Sequence, residues 1–469
     1  MFDDLHYVSL HDVSHMIRTR QVSAVEVTRG LLDRIERYDG QLHSFHKVLP
    51  ERALKAARQA DREIGSGLWR GPLHGVPIGL KDLVFMKGLP TGAGTSLHRT
   101  FRPTYDATVV TKLETAGAVV IGKLHMTEGA TLDHHPSLPR PENPWLAGRW
   151  TGVSSSGSGV APAAGLCYGA IGTDTAGSIR VPSACCGLSG IKPTWGRVSR
   201  HGLFPLGESL DHVGPMARSI ADAAAILQVI AGSDVNDPTA LSNPAPGYQA
   251  GLETGVCGLV IGVDWAFATD RVEPAVVKAF TDAIAVFEEL GAHIQPVVFP
   301  PHPALDCMPA LMAEVSAAHE ATFPSRADDY GPSLRGLLEG AAQLTGAAVA
   351  KANMARLRFN GSLSRVFDQV DILATPTLPR SAPTWEEIAV MGRDVPSMFT
   401  DLLRYMLPFD LSGSPALSLP CGFDALGLPL GLQLVGRNLQ EELICRAGHA
   451  YQCATDFHTR RSGSRGMPA

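Results

Sequence analysis

Leu166-Cys167-Tyr168-Gly169-Ala170-Ile171 runs straight into Gly172-Thr173-Asp174-Thr175-Ala176-Gly177-Ser178-Ile179-Arg180. The first six residues predict a strand, and the rest predict a loop of small residues that ends where a short helix begins. A strand feeding a glycine-rich loop and a helix is the unit of an α/β protein. Related patterns recur on both sides. Residues 108–115 read as a helix, Gly117 ends it, and residues 118–121 read as a buried strand. Residues 259–263 predict a strand, and 274–290 a helix with Pro274 near its start and Gly291 after it. Residues 293–299 and 371–376 predict two more strands, and 417–419 with 430–435 a late hairpin. Helices are expected over 219–230, closed by Gly232, and over 441–455.

The ends read differently. The first seventy residues are helical in pattern. Ser23-Ala24-Val25-Glu26 fits a capping box, Val27, Leu31 and Ile35 share one face, and Gly40 is read as the end of that helix. A second amphipathic stretch, 51–64, stops at Gly65-Ser66-Gly67. Residues 303–365 are mostly helical in pattern. The Pro/Gly-rich stretch 234–251 is the best connection, yet strands resume after it. The expected organisation is a helical N-terminal segment over 1–70 packed on the core, one α/β domain over 71–455 with a mixed sheet between helices, and a frayed tail over 456–469.

The chain has 469 residues, 45% hydrophobic and 18% charged, an ordinary globular balance with ample material for a large core. Lys plus Arg is 40 against 46 Asp plus Glu, a net charge of −6. No cationic stripe for nucleic acid is present. The N-terminus lacks the charged and apolar regions of a signal peptide. No apolar run approaches the roughly 20 residues of a membrane span. The eight cysteines are scattered without a C-x-x-C pair. These features predict a cytoplasmic protein with reduced thiols.

Three stretches carry chemistry. Gly152-Val153-Ser154-Ser155-Ser156-Gly157-Ser158-Gly159 and the loop around Ser178 place two serines in segments whose bare backbone can approach a reacting carbonyl. Gly75-Val76-Pro77-Ile78-Gly79-Leu80-Lys81-Asp82 places a lysine at the end of an apolar run, where burial would lower its pKa and make it a base. A hydroxyl both donates and accepts, so Ser154 can pass a proton between an amine and a second hydroxyl. The amides of Thr175, Ala176, Gly177 and Ser178 can cradle an oxyanion. Each feature also has an ordinary reading: an N-cap serine in a glycine turn for Ser178, an ion pair with Asp82 for Lys81, a flexible Gly/Ser loop for Ser154. Together they are the parts of a serine acyl-transfer site that needs no histidine.

In these stretches the chain resembles the amidase signature family. The family pattern G-[VI]-P-x-x-x-K-D, G-G-S-S-[SG]-G-S and D-[TI]-G-G-S-[IV]-R falls on Lys81, Ser154 and Ser178 in order. Residues 186–199, 214–219 and 427–436 agree with it too, and the likeness covers nearly the whole chain. The resemblance implies a single layered α/β/α domain, with Ser178 as nucleophile, Ser154 as proton relay and Lys81 as ultimate base. It implies an acyl-enzyme, ammonia or an amine as first leaving group, water as second nucleophile, and no metal or organic cofactor. It also implies a cis peptide bond before Ser154. Val153 stands where the family has glycine. Ala176 also replaces a glycine, so the loop must avoid positive φ there.

The segment after Gly122-Lys123 is where family substrates diverge. Gly129 and Ala130 are small here and leave space for a bulky or aromatic acyl group, which makes Gly129, Ala130 and Thr131 the expected substrate contacts. His134 and His135 read as pocket-rim or surface residues, not metal ligands. Met308, Met312, Met354, Met391, Met398 and Met406 read as an adaptable lining. The expected activity is hydrolysis of a carboxamide or aryl amide to a carboxylate. The alternative is the amidase component of a glutamine-dependent tRNA amidotransferase, which Val153, Ala176 and His125 disfavour. The expected partner is a small-molecule amide, with a second copy of the chain as an open option and neither nucleic acid nor membrane.

Overall fold

One eleven-stranded sheet organises the computed structural model, which describes residues 5–462. Its strands are β1 (Phe45–Val48), β2 (Pro77–Lys81), β3 (Val119–Leu124), β4 (Gly169–Asp174), β5 (Ser189–Lys192) and β6 (His212–Ala217), followed by β7 (Val260–Val263), β8 (His293–Pro296), β9 (Ile372–Pro376), β10 (Ala416–Phe423) and β11 (Pro429–Gly436). The spatial order is β1-β3-β2-β4-β6-β5-β10-β11-β9-β7-β8. β2 runs parallel to β3 and β4, and β7 parallel to β8 and β9; the other pairings are antiparallel, so the sheet is mixed as expected.

Helices cover both faces. Neighbouring residues of a strand point to opposite sides. Ser189 of β5 takes a hydrogen bond from Gln452 of the helix Glu441–Ala454, whereas a Cβ on the adjacent Gly190 would collide with Ser183 of the helix Arg180–Cys186. These two helices therefore lie on opposite faces. The central strands β2, β3, β4 and β6 are buried along their whole length, as strands covered on both faces must be. Among the described residues no helix is long and apolar enough to cross a membrane.

Several expected elements shift for identifiable reasons. The capping box at Ser23 and Glu26 forms, but its helix continues through Gly40 to Leu42. The stop comes instead from His43 in a left-handed conformation and from Asp39, whose carboxylate accepts the amides of Ser44 and Phe45. β4 begins three residues later than read, because Leu166 is still held by the helix Ser156–Ala163: Gly165 turns at φ 68° and the Leu166 amide reaches back to the Ala161 carbonyl. The N-terminal segment is not only helical. Phe45–Val48 pairs with β3 and forms the edge of the main sheet. Of the expected tail, 456–462 is described, with the short helix Phe457–Thr459 and Ser462 Oγ donating to the Ala163 carbonyl; 463–469 lies outside the described residues.

Candidate active site

Lys81 is the last residue of β2 and is fully buried. Its Nζ donates to Ser154 Oγ at 2.6 Å and to Thr173 Oγ1, on β4, at 2.8 Å. Burial lowers the lysine to about 7 against the opposing pull of Asp211 and Asp174. Two other lysines, Lys123 and Lys192, are as deeply buried, and Lys192 is likewise pushed to about 7 by burial. Their partners separate the three. Lys123 is paired with Asp82 at 3.1 Å and also donates to the Val84 carbonyl. Lys192 donates to the carbonyls of Ser414 and Pro193. Carbonyl and carboxylate oxygens only accept, so they fit an amine that holds its protons. Lys123 has one hydroxyl as well, Thr91 Oγ1 at 3.3 Å, but beside the Asp82 carboxylate, whereas both partners of Lys81 are hydroxyls that can accept from the ammonium or donate to the free amine. Asp82, the ordinary partner for Lys81 on the sequence, is thus taken by Lys123.

The serine cluster divides its work. Ser155 Oγ donates to the Thr173 carbonyl and accepts the Thr173 amide, and Ser158 Oγ donates to the Ile171 carbonyl, which stitches the loop and the helix Ser156–Ala163 to β4. Ser156 Oγ bonds His134 Nε2 at 2.9 Å. Only Ser154 touches Lys81. The Val153–Ser154 peptide is cis. Gly152, at φ 78°, passes so close to Pro182 that a Cβ would overlap its backbone, which seats the serine loop against the helix that follows Ser178.

The Ser178 loop is braced from below. Asp174 Oδ1 accepts the Gly177 amide at 2.6 Å, Oδ2 accepts the Ile179 amide at 3.1 Å, and both oxygens take the Arg180 guanidinium. Burial by itself would raise the Asp174 carboxyl, but the adjacent Arg180 outweighs it and holds the group well below the usual carboxylate range. Arg180 is in turn fixed by Asp410 at 2.6 Å and by Gln433 Oε1 at 2.9 Å. From the side, Thr175 Oγ1 donates to Asp211 at 2.5 Å. The four amides expected to cradle an oxyanion are not equally free. Gly177 takes the positive φ of 111° and spends its amide on Asp174, while the amides of Thr175, Ala176 and Ser178 donate to no acceptor among the described residues. Ala176 avoids positive φ, so its methyl is accommodated.

Ser178 Oγ makes no hydrogen bond to Lys81, Ser154 or any other described residue; it opens, with Val153, onto a cavity of about 590 Å³. Ala130 and Thr131, two of the three expected substrate contacts, line this cavity. Gly129 does not: its space faces Leu334 and His319 behind the wall. Of the six methionines, Met308 and Met312 line the cavity. Met354 is 51% exposed, Met391 and Met398 sit at a separate cavity beside Arg271, and Met406 packs under Gly177. Most of the remaining wall comes from the helices Ala304–His319, Pro332–Ala341 and Val395–Thr400, with Leu132, Leu206, Gly392 and Leu403 from the segments between. His134 is pushed down to about 3 by burial, so its ring is neutral against Ser156. Among the described residues no three His, Cys, Asp or Glu side chains are grouped to hold a metal ion. Thr173, Asp174, Asp211, Asp410 and Gln433 were not singled out on the sequence. Asp174 and Arg180 do stand inside the quoted D-x-x-x-x-x-R stretch, which was the available signal.

Residues 26–445 match the family model described as Amidase. The chain belongs to the amidase family. It is 49% identical over 461 residues to the Mycobacterium tuberculosis protein named "Putative amidase AmiD", covering 98% of this chain and 96% of that one. It is 39% identical over 487 residues to a glutamyl-tRNA(Gln) amidotransferase subunit of Chloroflexus aggregans, covering 98% of each. Among solved structures, the native peptide amidase of Stenotrophomonas maltophilia superposes with a TM-score of 0.83 at 30% identity, over 98% of this chain and 99% of that one. The protein is thus an amidase, a hydrolase of amide bonds, on a single-domain mixed sheet flanked by helices.

Proposed function

We propose that this amidase hydrolyses carboxamides and aryl amides through an acyl-enzyme on Ser178. The observation that carries the proposal is the 2.6 Å contact of Lys81 with Ser154, made where no described carboxylate pairs directly with the amine and burial outweighs the pull of Asp211 and Asp174. Neutral Lys81 takes the proton of Ser154 Oγ as Ser154 takes that of Ser178 Oγ. Ser178 then attacks the carbonyl carbon. The developing oxyanion meets the amides of Thr175, Ala176 and Ser178, donors worth about 3–4 kcal/mol each where such groups have been removed from enzymes. When the tetrahedral intermediate collapses, the proton returns through Ser154 to the leaving nitrogen, and the C–N bond breaks. Water then attacks the acyl-enzyme by the same relay, releasing the carboxylate and restoring Ser178. Every step uses the chain's own groups and water.

The uncharged wall of the cavity supports an amidohydrolase over the glutamine-dependent amidotransferase component, since the α-ammonium and α-carboxylate of glutamine would find no charged partner there. The eight unpaired cysteines, six of them buried, support a reducing, cytoplasmic setting. The test is a panel of aliphatic amides, anilides and glutamine with ammonia and amine readouts. Turnover of amides or anilides without glutaminase activity is expected. Glutamine as the best substrate would overturn the proposal.

A further inference from the structure

We infer that the substrate's acyl part is uncharged and predominantly apolar, and that it occupies the large chamber in front of Ser178 while the leaving nitrogen departs toward the smaller, charge-bearing chamber beside Thr173. This inference rests on the reading of Ser178 as nucleophile. All of the residues that line the 590 Å³ chamber are uncharged, and its walls are led by Leu206, Met308, Leu311, Met312, Phe399 and Leu403. A volume of this size lies within the range of sites that enclose a small organic ligand. A charge placed there would lose its water and gain no partner.

The assignment of sides follows from the relay. The proton that the leaving nitrogen needs comes from Ser154 and Lys81, and the other hydroxyl on Lys81 belongs to Thr173. Thr173 lines a second cavity of about 250 Å³, together with Arg200, Glu208, Asp211 and Asp237. Ala130 and Leu206 line both cavities and form the wall between them. This smaller chamber also has apolar walls, among them Leu83, Phe204 and Val213, but unlike the large one it carries charged side chains, and with Thr173 at the proton source it suits ammonia, a small amine and incoming water. The apolar chamber is left for the part of the substrate that stays on Ser178.

The test uses fluorophosphonates, which label a reactive serine without an amide bond, with ethyl, hexyl, decyl and ω-carboxydecyl chains on the full-length protein. Labelling of Ser178 is expected to quicken at least about tenfold from ethyl to decyl and to fall at least about tenfold when the chain ends in a carboxylate. Met308→Arg, a half-buried wall position, is expected to shrink the carboxylate penalty while its thermal melting confirms the fold. Labelling of Ser178 at a rate that is flat or falling with chain length, or indifferent to the carboxylate, overturns the substrate class and leaves the nucleophile standing. Failure of every chain to label Ser178 overturns the nucleophile itself, and the substrate class falls with it.

Discussion

The floor and the roof of the active site are built on opposite rules. In the floor, from Lys81 through Ser154 to the Asp174–Arg180–Asp410 network, the partners are polar, short-range and nearly all buried. Most of it comes from three contiguous stretches of chain. The roof is drawn from helices spread between residues 304 and 400, presents a mainly apolar face to the cavity, and keeps its polar ties, such as Glu314 accepting from Ser209, away from that face. The contrast predicts that reaction and selectivity are separable in this molecule. A floor substitution should slow every substrate alike, while a roof substitution should reorder substrates.

The largest effect is expected from Ser178→Ala, which should lower kcat at least about 10⁴-fold for short and bulky amides equally, as loss of a nucleophile does elsewhere. A substrate-dependent loss would erase the distinction between floor and roof. Arg180→Met should come next. It leaves Asp174 and Asp410 buried without their shared cation, at a cost of about 3–5 kcal/mol of stability, read as a lowered denaturation midpoint. An unchanged midpoint would mean the network does not brace the loop. Lys81→Ala should cost about 10²–10⁴-fold, as removal of a general base does. In the wild type, the rate should rise with pH and level off above about 7 as the lysine loses its proton, and this limb should vanish in the variant.

A finer effect is expected from Asp211→Asn, which keeps the shape that receives Thr175. Asp211 raises the lysine, so removing its charge should move the midpoint of that limb to lower pH. A midpoint that stays or moves up would remove Asp211 from the relay's electrostatics. The smallest change is expected in the roof. Adding or removing one methylene there, as in Val315→Ile, should alter the ratio of kcat/KM between bulky and small acyl groups by about 10–200-fold at most. Equal changes for both groups would again contradict the division.

The same division decides what could be read from the chain alone. Lys81, Ser154 and Ser178 stood out on the sequence because the chemistry proposed for them needs particular residue types in small-residue contexts, and those contexts are contiguous. Thr173 was not, because a threonine in a strand is ordinary until its hydroxyl is seen on the lysine. The roof was illegible for a deeper reason. An apolar helix face looks the same whether it meets a core or a cavity, and so Met398 and Met406 could not be told from Met308 and Met312. Strand β6 escaped notice because Pro215 lies in its middle, where the missing donor argues against a central strand. β1 and β5 escaped because Phe45-His46-Lys47-Val48 and Ser189-Gly190-Ile191-Lys192 stand in no apolar run, whereas the equally short β7 and β8 fall within the apolar stretches 259–263 and 293–299. Helix ends moved where side chains, such as Asp39, and not glycines closed them.

The central claim is that the acyl group is carried by Ser178. Rapid acid quench during turnover of an anilide, followed by peptide mass spectrometry, tests it most directly. An acyl adduct on the peptide containing Ser178, present during turnover and absent after substrate is exhausted, is the predicted result. An adduct on Ser154 or another residue, or steady turnover of Ser178→Ala with no adduct at all, would contradict it.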